Sequence, residues 1–158
     1  LKRPRGASAT RPGRATRAPG AAMEEAERRV RELKEEGNAA VRSKDHQQAV
    51  ELYSQAIGLL IEGDAAPGAP ALFGNRCLCH MRLGRYEDAR RDAAEAVERD
   101  PTYAKGFYRL AVCLRRLGDL AGAWESATRA ANLEPENAEI QALYAEICAQ
   151  ERGEPAGG

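Results

Sequence analysis

The strongest constraint on this chain is that it repeats itself. The stretch RLGRYEDARRDAAEAVERDP (82–101) returns 34 residues on as RLGDLAGAWESATRAANLEP (116–135). Gly84 matches Gly118, Ala89 matches Ala123, Ala96 matches Ala130 and Pro101 matches Pro135. A third copy lies upstream, where Gly37, Ala49, Tyr53 and Ala56 correspond to Cys77, Ala89, Ala93 and Ala96. There the step is 40 residues, and the surplus falls in the Gly/Pro-rich EGDAAPGAP (62–70), a loop by composition. A repeat this short cannot bury an apolar face alone. It must stack on its neighbours, so the chain is expected to build a solenoid.

Composition decides what the repeats are made of. Ala, Leu, Glu and Arg dominate while aromatics make up only 5%, which favours helices throughout. The expected helices span residues 24–43, 46–61, 70–83, 86–99, 104–117 and 120–133, followed by a seventh over 137–151. Asn137 is placed to cap that seventh helix. Its apolar stripe of Ile140, Leu143, Tyr144 and Ile147 suits it to cover the last repeat, as solenoids require. The longest apolar run, Ala56 to Ile61, is too short to cross a bilayer.

The formal charge of zero conceals an asymmetry. Six basic residues and no acid precede Met23, whereas the remainder carries 18 basic and 24 acidic residues, a net of −6. The acidic domain is a poor nucleic-acid binder. Residues 1–23, rich in Arg, Pro, Gly and Ala with little to bury, are expected to be a disordered basic tail, and 152–158 a second short one. The four cysteines, with no visible signal peptide, are expected to be reduced thiols in the cytosol.

A 34-residue period of paired helices with small residues at their contacts resembles the tetratricopeptide repeat (TPR) family. The resemblance covers residues 24–151, with repeats over about 30–63, 70–103 and 104–137 and the capping helix 137–151. It implies an all-α, right-handed superhelical α-solenoid of three helix pairs plus the cap. Gly84 and Gly118 then supply the left-handed residue that ends each first helix, with Lys44 standing there in repeat one. Pro101 and Pro135 start the next units. Trp124 is expected to pack between helices.

Most residues that suggest catalysis receive a packing role from the repeat register. His80 aligns with Ala40 and Leu114, and His46 with Tyr86 and Leu120. Cys77-x-Cys79 is compatible with a metal or redox pair, but on a helix those side chains diverge, and buried thiols account for Cys77, Cys79, Cys113 and Cys148. No phosphate loop or metalloprotease motif is present, so no enzymatic activity, metal or cofactor is expected.

What remains is a polar set on the first helix of each pair: Lys34 and Asn38, then Asn75, then Lys105 and Arg109. Four-residue spacing puts Lys34 with Asn38, and Lys105 with Arg109, on one helix face. Two cations so placed cost an isolated helix about 0.2–0.5 kcal/mol, which an anion between them reverses. This set is similar to the dicarboxylate clamp of co-chaperone TPR domains, Lys-x-x-x-Asn, Asn, Lys-x-x-x-Arg, with all five positions matched. The resemblance implies a non-catalytic adaptor that grips the terminal Asp of a Glu-Glu-Val-Asp tail on cytosolic heat-shock chaperones of the 70-kDa or 90-kDa class. Val41, Leu78 and Val112 are candidate groove contacts for the preceding peptide residues, with inter-repeat packing the other account of each. The alternative is a general TPR scaffold that holds an internal peptide or helix in a multiprotein complex. A cytoplasmic monomer that binds neither nucleic acid nor membrane is expected either way.

Overall fold

The computed structural model describes residues 19–62 and 68–155. Among them the chain forms α1 (Pro19–Arg42), α2 (His46–Glu62), α3 (Ala69–Arg82), α4 (Tyr86–Arg99), α5 (Ala104–Arg116), α6 (Leu120–Leu133) and α7 (Ala138–Glu151). Six of the seven match the sequence expectation within a residue or so. The exception is α1, which begins five residues early, inside the segment expected as tail. A proline opens it at a position that needs no amide hydrogen, and Ala21, Ala22, Met23 and Glu24 are good helix formers. Residues 1–18 and 156–158 of the two expected tails, and 63–67 of the expected loop, lie outside the described residues. No described helix is long and apolar enough to cross a membrane.

The helices pair as α1 with α2, α3 with α4 and α5 with α6, and α7 lies against α6 and α5. Each pair closes on residues with little side chain. Ala49, Ala56, Ala89, Ala96, Ala123 and Ala130 are fully buried. Gly37 shows why they must be small: a Cβ there would stand 2.6 Å from the ring of Tyr53, itself only 1% exposed. The expected cap stripe is in place, with Ile140 against Ala104 and Phe107, and Leu143 and Ile147 against Ala111 and Ala127. Asn137 Oδ1 accepts from the amides of Glu139 and Ile140, at 3.1 and 3.3 Å.

The turn inside each repeat recurs atom for atom. Lys44, Gly84, Gly118 and Gly153 all take positive φ, at 63°, 74°, 86° and 72°. The next residue then donates its amide to a carbonyl five residues back: Asp45 to Ala40, Arg85 to His80, Asp119 to Leu114 and Glu154 to Ala149. These bonds satisfy carbonyls that the helix end would otherwise leave open. Pro101 lies in the turn before α5, where Asp100 Oδ1 accepts from the Thr102 amide and hydroxyl.

One buried interaction has no counterpart in the sequence reading. Arg76 on α3 makes a two-pronged ion pair with Asp92 on α4, at 2.8 and 2.7 Å, and donates to Ser54 Oγ on α2 at 3.0 Å. Three helices thus meet on one guanidinium. His80 stands 3.6 Å from the same carboxylate, and burial holds its imidazole below the usual 6.5, with Asp92 pulling the other way. Trp124, by contrast, is 39% exposed. It projects from α6 rather than packing between helices.

Three outcomes follow for stability. Gly37→Ala lowers the unfolding free energy by about 1–2 kcal/mol, because overpacking against Tyr53 exceeds the gain in helix propensity. The same change at Gly58, exposed in α2 with nothing near its Cβ, raises it by about 0.5–1 kcal/mol. Asp92→Ala strands the Arg76 charge and costs about 3 kcal/mol. Urea denaturation of the three variants measures all of these.

Candidate functional site

The first helices of the pairs, α1, α3 and α5, succeed one another along the solenoid, and α3 touches α5 directly. The five polar residues singled out from the sequence stand on these three helices. Asn38 on α1 and Asn75 on α3 line one cavity of about 160 Å³ together with Val41, Leu78 and Tyr53. Two amides from different repeats and two of the three candidate apolar contacts therefore share one space. Val112 does not: it lines a separate cavity of about 850 Å³ between α5 and α7. Lys34, one turn before Asn38, is half-buried and lines a neighbouring cavity of about 250 Å³ with Val30, Leu60 and Leu72.

Tyr53 is a part of the site that sequence reasoning assigned only to repeat register. Its hydroxyl donates to Asn38 Oδ1 at 2.7 Å. Burial pushes the phenol up to about 12, so it remains a donor at neutral pH. With its oxygen engaged, Asn38 is left presenting its amide NH₂ as a donor. An amide oriented in this way suits an anion.

Arg109 is more deeply placed than a surface cation. It is 9% exposed, and its guanidinium donates to the carbonyl of Gly74 on α3, the residue just before Asn75. A Cβ on Gly74 would meet Tyr103, whose hydroxyl would stand 2.5 Å away. Gly74 therefore has no side chain because Tyr103 occupies that place, and the open backbone lets Arg109 reach its carbonyl. An isolated Gly within the helical pattern LFGNRC (72–77), here Phe73-Gly74-Asn75, was the available signal. Lys105, one turn before Arg109, is exposed, and no side chain pairs with it among the described residues.

The thiols behind this face are free, with Cys77, Cys79 and Cys113 fully buried and Cys148 half-buried. A hydrogen bond with Cys113 and then burial push the Cys77 thiol up, and burial pushes Cys79 up to about 11. Cys77 and Cys79 remain thiols at neutral pH, and the buried cysteines act as small apolar fillers. The five residues thus offer ammonium, guanidinium and amide donors, the two amides beside the apolar side chains of Val41 and Leu78.

Arg109 and Lys105 separate cleanly by role in folding. Arg109→Ala removes a buried charge-assisted hydrogen bond from α5 to the Gly74 carbonyl and costs about 1–3 kcal/mol. Lys105→Ala stays within about 0.5 kcal/mol of the parent. Thermal and urea unfolding read the difference.

Comparison with known proteins places this geometry. Residues 80–147 match the family model for the tetratricopeptide repeat. DnaJ homolog subfamily C member 7 of Mus musculus is 35% identical over 118 residues, which is 75% of this chain and 23% of the relative. The chain thus spans less than a quarter of that curated relative's length. The first TPR of Spaghetti (RPAP3), solved bound to the HSP90 peptide SRMEEVD, superposes with a TM-score of 0.71 at 26% identity, covering 79% of this chain and 94% of that one. The second TPR domain of human RPAP3, solved with the HSP70 peptide SGPTIEEVD, gives 0.69 at 25% identity, over 78% and 98%. The described helices form a tetratricopeptide repeat domain, a non-catalytic interaction module whose structural neighbours include TPR domains solved with HSP90 and HSP70 peptides.

Proposed function

We propose that this domain docks the C-terminal tail of heat-shock chaperones of the 70-kDa or 90-kDa class. In this reading Lys34, Asn38, Asn75, Lys105 and Arg109 hold the two carboxylates of a terminal Asp. The observation that carries it is the meeting of donors from three successive repeats: the amides of Asn38 and Asn75 in one cavity, and the Arg109 guanidinium on the backbone next to Asn75. The peptides bound to the two RPAP3 domains, which end in Glu-Glu-Val-Asp, support the choice of ligand.

The chemistry suits a dianionic terminus. Arg109 offers a planar fork, the two lysines offer point charges, and the amides add direction without further repulsion. The surrounding domain is acidic, which disfavours a diffuse polyanion and leaves the local cluster to select a compact pair of carboxylates. Charge-assisted hydrogen bonds contribute about 1.5–3 kcal/mol each. The cost of association and peptide ordering brings the net to about −8 kcal/mol, a micromolar ligand. Val41 and Leu78 would meet the residue preceding the terminal Asp. Four free thiols fit the reducing cytosol in which such a partner is found.

Titration calorimetry with Met-Glu-Glu-Val-Asp, free and C-terminally amidated, tests the reading. The free peptide binds in the micromolar range, and amidation, Lys105→Glu or added salt weakens it ~tenfold or more. Equal affinity for the two peptide forms overturns it. Lys105 is the position for the charge reversal because Arg109 also supports the fold. Tyr53→Phe, which releases the Asn38 amide to rotate, weakens binding by a smaller factor.

A further inference from the structure

The turns inside the repeats fall together at one edge of the solenoid. Arg116, at the end of α5, lies over the ring of Tyr86 at the start of α4, 5.4 Å from its centroid, which joins the turns of repeats two and three. This edge is basic although the domain is acidic. Arg42, Lys44, Arg82 and Arg85 are all exposed, and none forms a side-chain hydrogen bond or ion pair among the described residues. The acids of the same turns are occupied: Asp45 and Asp119 accept from the Gln48 and Gly122 amides, and Glu154 pairs with Arg152. Glu87 and Asp88, just inside α4, pair with Arg90 and Arg91.

Helix electrostatics accounts for some of these cations and fails for others. Arg42, Arg82 and Arg116 end first helices, where positive charge complements the macrodipole. Arg85 is different: it is the N-cap of α4, where the dipole disfavours a cation and where Ser, Thr, Asp or Asn would bond the free amides. Lys44 lies just past the end of α1, with Asp45 between it and α2, and holds a left-handed backbone that glycine takes in every later turn. Arg85 is not there for the helix it caps.

Apolar side chains interrupt the cations. Leu83 and Leu117, one repeat apart, are 36% and 38% exposed, while repeat one has Ser43 instead. Beside Leu117 the edge opens into the cavity of about 850 Å³, whose walls include Val112, Leu120 and Leu143 with Arg115 and Arg116 at its rim. Gln150 also lines it, and its side-chain oxygen is buried with no hydrogen-bond partner among the described residues.

We propose that this edge is a second docking surface, for an acidic polypeptide segment carrying apolar side chains, separate from the carboxylate site on α1, α3 and α5. The acidic residues would lie along Lys44, Arg82 and Arg85, and the apolar ones would contact Leu83 and Leu117 and enter the α5–α7 cavity. The exposed leucines and the cavity favour a polypeptide over a nucleic acid, as does the overall negative charge of the domain.

The probe is a fluorescein-labelled peptide of Glu, Asp and Leu, amidated at its C-terminus so that it offers no terminal carboxylate, with binding followed by anisotropy. It is expected to bind, more weakly as salt rises, and not to be displaced by free Met-Glu-Glu-Val-Asp. Arg82→Glu with Arg85→Glu weakens it ~tenfold or more and leaves Met-Glu-Glu-Val-Asp binding intact. Leu83→Ser with Leu117→Ser weakens the labelled peptide alone, and Lys105→Glu does not. Far-UV circular dichroism and a thermal melt establish that the reversed variant is folded; Arg82→Gln with Arg85→Gln serves in its place if it is not. Absence of binding overturns the proposal. So does undiminished binding by the arginine variants, or equally tight binding of an amidated oligo-Glu peptide or of single-stranded oligo-dT, which would make the edge a diffuse polyanion surface.

Discussion

The close approach of two helix backbones at a residue with almost no side chain is the constraint on which this molecule rests. At Gly37 the ring of Tyr53 occupies the volume a Cβ would need, and buried alanines repeat the arrangement in each pair. Such contacts put the first helices at a regular spacing. The spacing in turn lets polar groups one repeat apart converge, as Asn38 and Asn75 do in their shared cavity. A groove of this kind is a by-product of packing, and its chemistry is then chosen by the few residues that face it.

The same logic shows how much was legible in the sequence. Helix boundaries followed from the 34-residue register, because small residues, left-handed turn positions and the Asn137 cap are local or periodic signals. The left-handed turn at Lys44 could be placed even without a glycine, since Gly84 and Gly118 define the position. The grouping of candidate groove residues was legible for Asn38, Val41, Asn75 and Leu78. Val112 and Lys34 line other cavities, a division that no local pattern encodes.

What stayed hidden depends on contacts between side chains far apart in the chain. Arg76 on α3 and Asp92 in the acidic, arginine-rich α4 each look like ordinary solvated charges, and only the packing of α2, α3 and α4 brings them together under cover. Tyr103 and Gly74 are likewise unremarkable alone, yet their contact clears the path for Arg109 to the Gly74 carbonyl. The early start of α1 was missed for the opposite reason. A Pro/Gly-rich composition outweighed, in the reading, four consecutive residues that favour helix.

Under the proposed function Arg109 serves two masters, and this bears on how such a domain changes over generations. Its guanidinium fastens α5 to α3 in the absence of any ligand, so selection for a folded solenoid alone retains it. Lys105 has no such second tie. In a lineage that has abandoned its carboxylate ligand, the lysine is free to drift first while the arginine persists. The residue to inspect in distant relatives, when asking whether recognition survives, is therefore the exposed and structurally idle one.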